Sequence, residues 1–278
     1  DDSVVDVYKD EPYMIRRSRG FAPLPVMTEE ELEASVLAVG GELKNTFCIG
    51  KDQLLYESPF VGDMADVRTV RALNESIDRM AELLETDPEA AVCDLHPKYN
   101  TTEVAERYAD KHNIPLIRLQ HHYAHILSCM AENDYTDEVI GLSMDGTGYG
   151  TDGTIWGGEV LLARRDGFER LSHIDPFMQA GGDLSAKEGW RIAASMIGSL
   201  FGDDAEEICE KIGVCSGSEF KLIRTMTERG INSVKSTSAG RLFDAVSASL
   251  GVRRASSFEG EAATTLQFRA IEAKGGLR

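Results

Sequence analysis

The chain has 278 residues, 42% of them hydrophobic and 27% charged, an ordinary globular composition with room for one large domain or two moderate ones. Its 29 basic and 47 acidic side chains leave a formal charge of −18, a field that repels phosphate backbones and anionic membranes and argues against nucleic-acid binding. The sequence contains no run of about 18 apolar residues of the kind that spans a bilayer, the start DDSVVDVYKDEP lacks the features of a signal peptide, and five cysteines without a C-x-x-C pair fit a reducing cytoplasm better than a disulfide framework.

In chain order, SVVDVY (3–8) reads as a short strand. MIRRSRGFAPLPV (14–26) reads as an extended connector because of its two prolines, so residues 1–27 are expected to be a linker or the tail of a preceding domain. SVLAVGG (35–41), NTFCIGK (45–51) and QLLYESP (53–59) suit a three-strand antiparallel meander. Residues 66–87 place Val67, Val70, Leu73, Ile77, Met80 and Leu84 at steps of three and four. That predicts an amphipathic helix with Asp66 as its N-cap. A strand at 90–95, a helix at 101–112 and a strand at 114–120 complete a β-β-β-α-β-α-β order.

The order restarts after 137 with strands at 138–146, 154–167 and 168–175, followed by helices to the C-terminus. Two such ribonuclease H-like halves describe the actin/hexokinase-like α/β architecture, which binds nucleotide in a cleft between them. The expectation is a first half at 28–137 and a second half at 138–278 that is incomplete, so that the polypeptide is a fragment.

Three stretches could carry chemistry. QHHYAHILSCMAEN (120–133) holds three histidines within five residues. On a helix, His121 and His125 fall about 40° apart, away from the apolar face of Tyr123, Ile126, Leu127 and Met130. Two imidazoles at i, i+4 can ligate one metal, although surface histidines on helices are common. Asp145, at the end of an apolar run and before the glycines of DGTGYG (145–150), could supply a third ligand. The backbone there could approach an anion, or the stretch could be a glycine-rich hairpin with an aspartate turn cap. Lys44 in GGELKNTF (40–47) occupies the corresponding hairpin of the first half, where it is either a phosphate contact or a solvated turn lysine. In GRLFDAVSASLG (240–251), Asp244 could bind a ribose hydroxyl, or serve only as a charge near a helix start.

As an ordered set, GGELKNTF, DLHPKYNTTEVA, LQHHYAH, MDGTGYGTDGTIWGGE, GGDLSAKEGWR, SAGRLFDAVSASLG and FEGEAA resemble the Kae1-like domain of the HypF carbamoyltransferases of [NiFe]-hydrogenase maturation. RRSRGFAPLP looks like the exit from the YrdC-like domain that precedes it in that family. The resemblance implies an ATP-dependent carbamoyltransferase. A carbamoyl-adenylate, made from carbamoyl phosphate and ATP in the YrdC-like domain, gives its carbamoyl group to the C-terminal cysteine thiolate of the partner HypE, for cyanide ligand synthesis. It implies a divalent metal, zinc or iron, on His121, His125 and Asp145. It also implies a nucleotide site lined by Lys44, Asn45, Gly146, Thr147, Gly148, Gly240 and Asp244. No residue of this chain is expected to be the catalytic nucleophile. Two other readings are a threonylcarbamoyl transferase acting on tRNA, opposed by the charge of −18 and the GRLFDA wording, and a non-catalytic partner-binding fragment.

Overall fold

In the computed structural model, which describes residues 2–273, residues 4–16 form a hairpin, so the expected strand at 3–8 gains a partner that overlaps the start of the expected connector. β1 (Val4–Tyr8) and β2 (Glu11–Arg16) pair antiparallel around Lys9 and Asp10, whose φ values of 54° and 66° are those of a tight turn. Pro12 sits in β2 opposite Val7. A two-stranded ribbon is edge on both sides, so it tolerates a proline that a central strand would not. The chain divides after Asp137 into two compact units.

In the first unit, β3 (Val26–Met27), β4 (Val36–Ala38), β5 (Cys48–Lys51), β6 (Leu54–Glu57), β7 (Ala90–Asp94) and β8 (Leu116–Leu119) form one sheet in the order β3-β6-β5-β4-β7-β8. The β4–β5–β6 meander is antiparallel, and β7 and β8 then add in parallel beside β4. Parallel neighbours need crossovers. These are α1 (Val67–Leu83), capped by the Asp66 side chain accepting from Arg68 N, and α2 (Asn100–His112), which ends at a left-handed Asn113. Leu73, Ile77 and Met80 of α1 and Val104, Ala105 and Tyr108 of α2 share one core with Leu37, Val39, Phe47 and Ile49. A final helix, α3 (His121–Glu132), follows β8 directly. Because β7 and β8 run the same way with Asp94 paired to Leu119, the loops after both strands open at one end of the sheet.

The second unit contains β9 (Val139–Tyr149), β10 (Ile155–Arg164) and β11 (Gly167–His173) as the expected meander. It departs from the sequence reading in two further strands, β12 (Phe177–Ala180) and β13 (Ser233–Ser236), after residue 175, where only helices and their connections are expected. β13 touches β10 in parallel at Ile155–Ser236 alone and pairs antiparallel with β12. Strands this short carry too few alternations to stand out from neighbouring helices. The helical stretch that follows β12 is interrupted: α4 (Asp183–Lys187) breaks at Glu188 before α5 (Gly189–Phe201). With α6 (Ala205–Lys211), α7 (Gly217–Glu228) and α8 (Ala239–Ser249), α5 builds the second core around Trp190, Ile192, Ile197, Phe220, Ile223 and Ala245. α9 (Glu261–Glu272) follows. Among the described residues no helix is long and apolar enough to cross a membrane.

Leu37 is fully buried and Val67 is 79% exposed. Leu37→Ala is therefore expected to lower unfolding stability by about 2–5 kcal/mol, and Val67→Ala to change it by less than about 0.5 kcal/mol, in urea titrations followed by circular dichroism.

Candidate functional site

The first unit gathers its polar residues where β7 and β8 end. Gln120 is the N-cap of α3, its side chain accepting from Tyr123 N at 2.9 Å, and this makes His121 the first helical residue. Asp94, the last residue of β7 and buried, places Oδ2 2.7 Å from His121 Nδ1 and accepts from His96 N at 2.8 Å through Oδ1. A carboxylate on Nδ1 holds the proton there and leaves Nε2 as a lone pair. One turn on, His125 Nε2 lies 3.2 Å from His121 Nε2, with the rings nearly perpendicular. Two ligands of a tetrahedral zinc-sized ion stand about 3.4 Å apart, given metal–nitrogen distances of about 2.1 Å. The donor set and spacing fit a divalent cation.

His122 differs from its two neighbours. It is fully buried beside Tyr123, Ile126 and Met130, and its Nδ1 lies 3.2 Å from Gln120 Nε2. Helical periodicity alone puts it near His121 and His125, off the apolar face. In the structure it belongs to the packed side of the helix.

The 40–47 loop adjoins this pair: a Cβ built on Gly41 would stand 3.9 Å from His121 Cε1. Asn45 is buried and donates its amide to Val39 O and Gly41 O at 2.9 and 2.8 Å, so it braces the loop from inside. Lys44 is exposed, adopts φ 50°, and donates its backbone N–H to Asp63 Oδ1 at 2.7 Å.

In the second unit, Asp145 is not at a strand end. β9 runs on to Tyr149, and the register against β10 shifts between Trp156–Gly148 and Gly158–Met144. Residues 145–147 therefore stand opposite Gly157 alone, a bulge that turns Asp145 out of the regular ladder. The glycine amides are engaged within the hairpin. Gly146 N donates to Asp145 Oδ1 at 2.6 Å and Gly150 N to Thr154 O at 2.9 Å. By antiparallel alternation from that bond, Gly148 is in the next hydrogen-bonded pair, with Trp156. The glycines supply close approach instead. A Cβ on Gly157 would lie 2.7 Å from Asp145 O and 2.9 Å from Ser238 Cα, and one on Gly240 3.0 Å from Gly146 Cα. Ser238, the N-cap of α8, uses that proximity to donate its hydroxyl to Gly146 O at 2.7 Å. Asp244, one turn along α8, is buried and pairs with Arg241 Nε at 2.8 Å. Burial pushes its carboxyl above the ordinary range, and the Arg241 pairing offsets this only in part.

Behind the bulge lies a polar network. Glu159 has no exposed surface and accepts from Arg170 Nε at 2.7 Å, Gly157 N at 3.0 Å, Gly158 N at 3.2 Å and the Thr237 hydroxyl. Burial pushes this carboxyl up, but the four hydrogen bonds outweigh it and hold its pKa below the usual value. Arg170 also reaches Asp152 Oδ2 at 3.3 Å and stacks 4.0 Å over the Trp156 ring. Asp94, Glu159, Arg170 and Thr237 were not singled out from sequence. The available signal was an acid inside or at the end of an apolar strand, as in AAVCD and WGGEVLLA.

The family described as the HypF Kae1-like domain matches residues 31–132, and the second subdomain of the carbamoyltransferase Kae1-like domain matches residues 141–277. The probable carbamoyltransferase HypF of Methanocaldococcus jannaschii is 38% identical over 278 residues, 100% of this chain and 36% of that protein. Carbamoyltransferase HypF of Synechocystis is 36% identical over 282 residues, again 36% of its length. The crystal structure of T. kodakarensis HypF superposes with a TM-score of 0.90 at 37% identity, covering 100% of this chain and 37% of that one. Full-length HypF in a phosphate- and nucleotide-bound form gives 0.89 at 38% identity, covering 96% and 34%. The chain thus spans about a third of the length of these relatives. On this evidence the chain belongs to the HypF carbamoyltransferase family, of which it carries the Kae1-like region with its actin/hexokinase-like α/β fold.

Proposed function

We propose that this chain is the carbamoyl-transfer portion of a HypF-type enzyme. In this reading it takes the carbamoyl group of a carbamoyl-adenylate, made from carbamoyl phosphate and ATP, to the C-terminal cysteine thiolate of HypE. The observation that carries the reading is the His121–His125 pair, with its Nε2 atoms 3.2 Å apart and Asp94 on the far side of His121. That arrangement suits a cation better than a solvated helix surface, and it occurs in a chain of the HypF family.

His121 and His125 would hold a divalent zinc or iron ion, with Asp145 as the carboxylate ligand. When bound, the ion supplies Lewis acidity toward the carbamoyl oxygen or the adenylate phosphate. The chain's own groups then orient the substrate. Lys44 would offer a positive charge to a phosphate, and Asn45 shapes the loop that carries it. Thr147 exposes a hydroxyl, and Gly146, Gly148 and Gly240 keep side chains out of the path of the nucleotide. Asp244, buried beside Arg241, would accept from a ribose hydroxyl. The nucleophile belongs to HypE, so none of the chain's own cysteines is needed for attack. This suits them: burial pushes the Cys93, Cys209 and Cys215 thiols up, Cys215 to about 12.

Calorimetric titration with zinc or iron(II) tests the metal assignment. Wild type is expected to bind one ion, the His121→Ala/His125→Ala double variant none, and Asp94→Asn about 10–100-fold more weakly. Equal uptake by wild type and the double variant overturns the reading. Transfer is tested in the full-length protein: Asp145→Ala should slow S-carbamoylation of HypE by about 100-fold or more while ATP-dependent carbamoyl-adenylate formation continues. Loss of both steps together, or of neither, counts against it.

A further inference from the structure

Asp145 stands on a bulge, and a bulge of three residues against one leaves the opposing amides without regular ladder acceptors. Those amides belong to Gly157 and Gly158, and both donate to one oxygen of Glu159, at 3.0 and 3.2 Å. The Glu159 side chain therefore does the work of a missing strand carbonyl. The same carboxylate accepts the Thr237 hydroxyl, and Thr237 immediately precedes Ser238, whose own hydroxyl holds Gly146 O. Gly157 is wedged between Asp145 O and Ser238 Cα with no room for a Cβ.

We infer that Glu159 is a positioning residue for Asp145, fixing through Gly157, Gly158, Thr237 and Ser238 the bulge that presents the Asp145 carboxylate. This rests on Asp145 being a ligand of the divalent cation. A carboxylate with no exposed surface, inside a strand otherwise occupied by Trp156, Val160, Leu161 and Ala163, is an expensive residue for packing alone. Well-packed apolar side chains usually serve as well or better in such positions. All the donors around it come from the segments that frame Asp145 or from Arg170, which also anchors the hairpin loop through Asp152. The geometry thus explains why an acid is here: the bulge needs an acceptor in the sheet plane that β9 does not provide. Asp145 in turn needs a fixed backbone, because its Oδ1 already accepts from Gly146 N at 2.6 Å and a shift of the bulge would re-aim the carboxylate.

Cobalt(II) is the probe, because its visible absorption reports the ligand set. The whole chain is titrated as wild type, Asp145→Asn, Glu159→Gln, Thr237→Val and Glu169→Gln, the last an exposed acid on β11. Glu159→Gln and Thr237→Val are expected to keep the far-ultraviolet dichroism of wild type but bind cobalt about 10–100-fold more weakly. Their bands should move toward those of Asp145→Asn, and Glu169→Gln should match wild type. If Glu159→Gln does not fold, Thr237→Val decides. Wild-type affinity and bands in a folded Glu159→Gln or Thr237→Val, alongside a weakened Asp145→Asn, overturn the positioning role alone. Wild-type behaviour of Asp145→Asn instead removes the ligand assignment beneath it.

Discussion

A carboxylate sealed from water has to collect hydrogen-bond donors from whatever surrounds it, and much of this structure follows from that requirement at a few positions. Glu159 draws in two backbone amides, a hydroxyl and a guanidinium. Asp94 draws in a backbone amide and an imidazole. Asp244 takes one arginine, and burial still wins there, which leaves its carboxyl less acidic than an exposed one. Each of these acids lies in or beside an element whose apolar residues form a core, so the packing brings the acid in and the acid then dictates local geometry.

The two units use this requirement differently. In the first, parallel pairing of β7 with β8 puts Asp94 next to the start of α3, and a short capped junction at Gln120 leaves His121 no choice of direction. The histidine pair is thus a consequence of sheet register plus helix period. In the second, antiparallel pairing would by itself deliver a regular hairpin with Asp145 in the ladder. The departure comes from glycine: with no Cβ at 157 and 240, strand and helix backbones approach within contact of the Asp145–Gly146 carbonyls, and Ser238 caps its helix and fixes those carbonyls at once.

Charge follows the same logic at longer range. A formal charge of −18 raises the local concentration of cations and opposes free phosphate. A small cation suits such a surface better than a bare polyanion does.

The period of the apolar residues was enough to read most of the first unit. Leu73, Ile77 and Met80 at helical spacing, and three short β-type runs bounded by glycine, leave few alternatives for α1 and the β4–β6 meander. The i, i+4 spacing likewise determines that His121 and His125 share a helix face, since that depends only on 3.6 residues per turn. Which face His122 takes was decided by packing, because a residue at the edge of an apolar stripe can be recruited to either side. The β1–β2 hairpin turns on two left-handed residues that are not glycine, and β12 and β13 are too short to carry a period of their own. The Asp145 bulge was beyond any linear pattern: Glu159, Thr237 and Ser238, whose hydrogen bonds frame it, stand 14, 92 and 93 positions away, and such contacts form only once the chain has folded.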